Sequence, residues 1–281
     1  MLPGGHKRST FSGQDFLLGR CPSCRCARVL NPRTDYAAIY DEAYYRGDGA
    51  DPKVDYVSEL SDERTLRVLE WQAIESLVST LVPLGPATRW LDLGCGVGGL
   101  VRYLRSRGLE GVVGADEGGG AELARAAGLP VLDDDQLDEE AGSYDVVTSI
   151  EVIEHVVDPL AFIYRVSALL APGGIFVLTT GNVEHVRGDL ARWQYVNPDV
   201  HVTFLGPTAL RRAYEEVGLR DETSPFDRHH VDLIRYKVLK TLGQRRSASW
   251  QRLIPWGLAA RVVDRRHGIS AMPFGRKPAK R

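Results

Sequence analysis

The chain has 281 residues, 43% hydrophobic and 26% charged, with a formal net charge of −2. That length accommodates one large α/β domain with an appendage, and the near-neutral balance argues against a dedicated nucleic-acid binder. No apolar run approaches the roughly 20 residues a bilayer span requires, and Met1–Arg20 lacks the apolar core of a signal peptide. Four cysteines, three of them clustered, are not a secreted disulfide framework, so a reduced, cytoplasmic protein is expected.

Residues 1–20 are rich in Gly, Ser and basic residues with little apolar periodicity, and part of this stretch is expected to be mobile. Cys21-Pro-Ser-Cys24-Arg-Cys26 follows, and Asn31-Pro32 marks a turn that sets off a Cys-containing N-terminal segment over 1–32. Tyr36, Tyr40, Tyr44, Tyr45 and Tyr56 crowd a tract too aromatic for a linker. From Ser61 the pattern is helical: Asp62 and Glu63 suit a first turn, and Leu66, Leu69, Ile74, Leu77, Val78 and Leu81 recur at helical spacing. Together these make a helical lid over 33–88, closed by Pro83, Gly85 and Pro86.

Strands and helices then alternate through a domain over 89–281. Strands are predicted at Arg89–Leu93, Gly111–Ala115, Leu129–Leu132, Tyr144–Ile150 and Ile175–Thr180, with helices at Gly98–Arg107, Ala121–Ala127 and Pro159–Leu170. Pro172-Gly173-Gly174 reads as a turn, and Pro207–Val217 as a later helix. Short apolar strands separated by helices imply an α/β fold with a parallel sheet covered on both faces.

The first strand ends in Asp92-Leu-Gly94-Cys95-Gly96-Val-Gly98-Gly99, directly before a helix. Glycines here allow a tight turn and close approach of a ligand to the main chain, a pattern that dinucleotide folds share. Asp92 tips the balance, because a carboxylate before the first glycine suits the ammonium of a methionine moiety and repels a pyrophosphate. Asp116 closes the second strand where an acid can hold both ribose hydroxyls. Asp133 and Asp134 follow the third strand, where a carboxylate can accept from an adenine amino group; the Asp133–Asp135 run equally reads as a solvated turn.

Five motifs stand in register: Leu91-Asp-Leu-Gly-Cys-Gly-Val-Gly98, Gly114-Ala-Asp116, Ser143-Tyr-Asp-Val-Val147, Glu151-Val-Ile-Glu-His-Val-Val-Asp-Pro159 and Leu170-Ala-Pro-Gly-Gly174. In them the chain resembles the class I S-adenosylmethionine-dependent methyltransferases, the group that includes ubiquinone-biosynthesis O-methyltransferases and bacterial sugar and secondary-metabolite methyltransferases. The resemblance implies a Rossmann-like seven-stranded sheet, with Asp92, Gly94 and Gly96 at the methionine moiety and Cys95 and Gly98 in the same loop. It further implies Asp116 at the ribose, Asp133 at the adenine and Glu151 beside the cofactor. Tyr44-Tyr45-Arg-Gly47 resembles a segment that folds over the cofactor, which puts Tyr45 there. Glu117-Gly118-Gly119-Gly120 departs from the group's pattern.

A hydroxyl acceptor benefits from a base, and the candidates are His201 and His155, with His185, His229 and His230 behind them. Asn182 and Trp193 are candidates for the acceptor pocket. No metal is assigned to that site. Cys21, Cys24 and Cys26 offer three thiols where structural zinc wants four ligands; they read as a degenerate zinc ribbon, or as a zinc site with His6 as fourth ligand. The region after Asp227 is basic and amphipathic, read as a helical insertion over about 228–262 before a last strand at Ala271–Lys277, with a face that can steer an anionic acceptor. The expected function is methyl transfer to a small molecule of specialised or sugar metabolism, oxygen before nitrogen or carbon. A nicotinamide-dependent oxidoreductase and a non-catalytic binding protein are the rivals.

Overall fold

The structure, a computed structural model, describes residues 1–35, 39–50, 55–62, 64–223, 226, 228–267 and 273–279. Tyr36, Glu63, Asp227 and the predicted strand start at Ala271 lie outside these residues. The chain opens with β1 (Leu2–Arg8), β2 (Asp15–Arg20) and β3 (Ala27–Val29), followed by the short helices α1 (Glu42–Arg46) and α2 (Tyr56–Ser61) and the longer α3 (Arg67–Leu81). An alternating series follows: β4 (Trp90–Leu93), α4 (Gly99–Ser106), β5 (Val112–Ala115), α5 (Gly119–Ala126), β6 (Val131–Leu132), α6 (Asp134–Asp138), β7 (Tyr144–Ile150), α7 (Pro159–Leu169) and β8 (Leu170–Thr179). The rest is β9 (Thr203–Phe204), α8 (Pro207–Glu216), β10 (Arg220–Asp221), α9 (His229–Thr241), α10 (Trp256–His267) and β11 (Phe274–Arg276).

The main sheet has seven strands in the order β10-β11-β8-β7-β4-β5-β6. The neighbouring pairs from β6 through β8 are parallel, whereas β11 runs antiparallel to both β8 and β10. This is the Rossmann-like α/β architecture that the alternation predicts. Successive side chains of each strand point to opposite faces: Leu91, Val147, Phe176 and Leu178 pack under α7 and α8, while Trp90, Val146, Ile175 and Val177 pack under α3, α4 and α9. Chain order reverses between β4 and β7, and such a switch point leaves a crevice at the carboxyl ends of the strands.

Two segments differ from expectation. Residues 1–20 are an antiparallel hairpin rather than a mobile stretch, with Leu2 opposite Arg20 and Arg8 opposite Asp15. Only one face of this hairpin is buried, where Phe16 and Leu18 meet Val183, Leu190, Val196 and Phe204. β3 pairs with both β2 and β9, closing a four-stranded sheet. Pro172-Gly173-Gly174 is not a turn between elements but an irregularity inside β8. The register against β7 shifts between Tyr144 and Val146, and Gly173 takes φ +84°. The helix predicted from Ser61 starts instead at Arg67 as α3: Ser61 ends α2, and the Leu66 amide is bonded to the Arg245 carbonyl at 3.0 Å rather than within a helix.

Candidate active site

A cavity of about 510 Å³ opens at the switch point, the size of a small-molecule site. The loop after β4 forms its floor. Gly94, Gly96 and Gly98 adopt φ of +79°, +54° and +80°, conformations that exclude most side chains. A Cβ on Gly94 would sit 2.5 Å from the Val152 side chain. Gly98 is the N-cap of α4 and backs onto Leu129 and Ala124, so it shapes the loop from behind rather than lining the cavity. Cys95 Sγ is tucked beneath the loop, where a Cβ on Gly114 would meet it at 2.5 Å, and burial keeps it a thiol.

Acids line the cavity: Asp92, Asp116, Glu117, Asp134 and Glu151. Asp92 is 4% exposed and accepts from Thr148 Oγ1 at 2.9 Å; burial pushes its carboxyl up to about 7 against that hydrogen bond, and the Asp116 charge adds to the rise. Asp116 ties two loops together, its oxygens accepting from the Gly96 and Gly118 amides at 2.8 Å each. Asp133 is turned away. Its carboxylate caps α6, accepting from the Gln136 amide at 2.9 Å while the Gln136 side chain accepts from the Asp133 amide at 3.1 Å. Asp134, next in the chain, takes the place on the wall.

The segment before α3 contributes Tyr40, Tyr44, Tyr45 and Tyr56. Tyr45 is wedged between the glycine loop and α5: a Cβ on Gly120 would lie 2.6 Å from its ring and one on Gly118 2.7 Å from its hydroxyl. The unusual Gly118–Gly120 run is therefore the space that Tyr45 occupies. Arg67 and Trp71 complete that side, and Phe162 and Arg165 the opposite one.

Beyond β7 the groups turn polar. Glu151 holds φ +54°, a strained value for a residue with a side chain. Lys237 of α9 reaches it at 2.6 Å, and Tyr195 donates to it at 3.0 Å. Burial alone would raise the Glu151 carboxyl, but the charge and hydrogen bond of Lys237, the Lys240 charge and the Tyr195 hydrogen bond together outweigh burial and hold it down at about 2. Lys237 also lies 3.7 Å from Glu70, itself fully buried and paired with Arg67 at 2.7 Å. The Tyr195 hydroxyl oxygen is also hydrogen-bonded to Glu154, which accepts from Thr180 at 2.8 Å. Burial and the neighbouring Glu151 charge push Glu154 up to about 8, so it carries a proton at neutral pH.

His155 is on the cavity wall, with Tyr40 Oη 2.7 Å from its Nδ1; burial and then His201 depress its basicity well below the usual range. His201 stands behind it. Its ring meets that of His155 edge-on at 4.7 Å, and its Nδ1 is 2.6 Å from the Tyr195 carbonyl oxygen, which makes Nδ1 the protonated nitrogen. The two sequence candidates are thus together, with His155 in front. The other histidines are elsewhere: His229 bonds Ser76 and His230 stacks on Phe226. Asn182 caps a turn at Glu184, and Trp193 packs on Tyr195 and Phe204. Lys237, Tyr40 and Tyr195 are site residues to which the sequence reading gave no role, whereas of the paired candidates Asp133 and Asp134 it is Asp134 that lines the cavity.

Among the described residues, two groups bring three metal-capable atoms within 4.8 Å of one another: Glu154 with His155 and His201, and Cys21 with Cys24 and Cys26. His6 is not part of the second. It is paired opposite Leu17 in the hairpin, with Nε2 3.2 Å from Asp15, four residues along β1 from the strand end that meets Arg20.

A family model described as a methyltransferase domain matches residues 61–224. The chain belongs to this methyltransferase family. A ubiquinone biosynthesis O-methyltransferase of Xanthomonas campestris pv. campestris (strain B100) is 38% identical over 109 residues, 34% of this chain and 44% of that protein. One from Xanthomonas axonopodis pv. citri (strain 306) is 36% identical over 132 residues, 43% of this chain and 53% of the relative. The methyltransferase thus spans about half the length of the curated relatives it matches. Phosphoethanolamine N-methyltransferase 2 of Haemonchus contortus, solved with S-adenosyl-L-methionine, superposes with a TM-score of 0.57 at 16% identity over 90% of this chain and 62% of that one. A geranyl diphosphate C-methyltransferase of Streptomyces coelicolor A3(2), solved with Mg2+, geranyl diphosphate and S-adenosyl-L-homocysteine, gives 0.51 at 19% identity over 88% of both chains. At such identities the likeness is one of fold. The cavity fits the S-adenosylmethionine of this class: an acid-lined pocket over a positive-φ glycine loop accepts an ammonium, a sulfonium and sugar hydroxyls, and repels a pyrophosphate. Among the described residues, no helix is long and apolar enough to cross a membrane.

Proposed function

We propose that this methyltransferase transfers a methyl group from S-adenosylmethionine to a hydroxyl of a small-molecule acceptor in specialised, sugar or quinone metabolism. The observation that carries this reading is the Tyr40–His155 pair on the wall of the acid-lined cavity. The O-methyltransferase names of the curated relatives support oxygen as the accepting atom.

Asp92 would hold the ammonium, Asp116 the ribose, Asp134 the adenine side, and Tyr45 would cover the glycine loop. The cofactor, when bound, supplies a methyl group on a sulfonium that is already a good leaving group. The protein's main task is then alignment, which can supply on the order of 7–11 kcal/mol. Tyr40 donates to His155 Nδ1 and relays the acceptor's proton to that imidazole. His201 positions the His155 ring from behind, and Lys237 keeps Glu151 ionised at the edge of the site. The basic side chains of α9 suit an acceptor that carries a phosphate or carboxylate.

Asp116→Ala removes the carboxylate bonded to both loops and should weaken S-adenosylmethionine binding in calorimetry; unchanged affinity sinks the ribose assignment. His155→Ala should slow turnover by about 10²-fold, as loss of a general base does, with cofactor affinity nearly intact. His201→Ala should slow turnover less. Full-rate His155→Ala protein would remove the tyrosine–histidine pair from the mechanism. Binding of NAD(H) in place of S-adenosylmethionine would overturn the whole reading. The clustering of Glu154, His155 and His201 favours one second reading, a divalent cation at the acceptor; chelator-treated protein that keeps full activity eliminates it.

A further inference from the structure

The three cysteines outside the catalytic cavity have a geometry of their own. Cys21-Pro-Ser-Cys24-Arg-Cys26 joins β2 to β3 in a tight knuckle. The Arg25 amide donates to the Cys21 carbonyl at 3.0 Å, and the Cys21 amide donates to the Cys26 carbonyl at 2.8 Å. Arg25 pays for the knuckle with φ +61°, a left-handed conformation strained for a bulky side chain. That strain turns Cys26 back toward the other two thiols. The three sulfurs lie within 4.8 Å of one another, with Cys24 Sγ 3.3 Å from Cys26 Sγ.

Two chemistries bring thiols this close. A disulfide needs sulfurs about 2.05 Å apart, and all four cysteines are free. Tetrahedral zinc, with Zn–S bonds of about 2.3 Å, needs sulfurs ~3.8 Å apart. The observed spacing brackets that edge.

We propose that Cys21, Cys24 and Cys26 bind one zinc ion through three thiolates, with solvent in the fourth position. Among the described residues the group closes at three ligands. The knuckle leads straight into β3, where Ala27 pairs with Phe204 and Arg28 with Thr203. The metal therefore pins the strand that immediately follows His201, and so stiffens the ledge behind His155.

The test uses the full chain, purified under reducing conditions, supplied with zinc, desalted and analysed by plasma mass spectrometry. About one zinc per chain is expected, falling roughly tenfold or more in Cys24→Ser and in Cys21→Ser and unchanged in Cys95→Ser. Cobalt supplied instead should give thiolate-to-metal charge-transfer absorption in the wild type, which reports the site without any mutation. Absence of both stoichiometric zinc and the cobalt band overturns the proposal. So does zinc that persists in Cys24→Ser, recovery of copper alone, or a Cys24–Cys26 disulfide found by mass spectrometry in the reduced preparation.

Discussion

Asp92→Asn should make the ligand-free methyltransferase more stable above neutral pH and, at the same time, a much weaker binder of S-adenosylmethionine. Asp92 is buried at the end of β4, and its carboxyl sits at about 7 in the folded state against an ordinary value of 3.8. The sign follows from linkage. A folded value above the unfolded one means that the native state binds the extra proton, so this residue's contribution to stability falls as pH rises from about 4 to 7 and is constant beyond. With about 1.4 kcal/mol per decade, ionised Asp92 costs on the order of 4 kcal/mol at pH 8.

The asparagine amide is nearly isosteric, carries no charge and can donate to Thr148 Oγ1. The mutant should therefore melt about 5–10 °C above the wild type at pH 8, and the two should melt together at acid pH. Its affinity for S-adenosylmethionine should fall by about 100-fold, the value of a desolvated charge-assisted contact. Wild-type affinity should also weaken below pH 7, by up to about tenfold per pH unit, with a proton released on binding. Scanning calorimetry and titration calorimetry across pH 5–8 read all of these. A mutant that still binds tightly would mean that the ammonium is held elsewhere.

Lys237→Met carries the second large effect. Lys237 is the cation shared by Glu151 at 2.6 Å and Glu70 at 3.7 Å, and burial is outweighed by those carboxylates, so it stays protonated. Removing one partner of a buried pair costs about 3–5 kcal/mol because the other charge is stranded. The Lys237 side chain keeps 23% exposure, so the lower end, about 3 kcal/mol at pH 7, is expected.

The pH dependence separates this from lost packing. Glu151 sits at about 2 in the native state against an ordinary 4.5, so its contribution is present above 4.5 and is lost as pH falls from there toward 2. The mutant lacks that contribution, and the gap between the two proteins in urea unfolding should narrow below pH 4.5. Lys237→Met/Glu151→Gln should recover part of the loss at pH 7. A single mutant within 1 kcal/mol of wild type would remove the ion pair from the account of stability.

What could be read from the residues divides along physical lines. The parallel sheet was legible because strands buried on both faces are continuous apolar runs, as Tyr144–Ile150 is, and because glycines at 108 and 128 end the intervening helices. The first hairpin was hidden because only Phe16 and Leu18 of β2 face a core, and that core is built from residues 183–204. Asp133 and Asp134 cannot be told apart by spacing. The helix start at Asp134 decides the matter by claiming Asp133 as its cap. Lys237 was one basic residue among many in the C-terminal region, and its partner Glu151 lies 86 positions away. Tyr40 was part of an aromatic tract whose members look alike in sequence, and folding sets it against an imidazole in the cavity.

The position of β11 has a consequence for how the molecule is made. It lies between β8 and β10, although the chain synthesises α8, β10, α9 and α10 before it. Until Phe274–Arg276 leave the ribosome, β8 keeps an unpaired edge, an open template for another chain. Through that interval the nascent chain carries its glycine loop and its histidines yet lacks the strand that ties the far side of the sheet together. Nascent chains stopped before β11 should therefore be the aggregation-prone species of its biosynthesis.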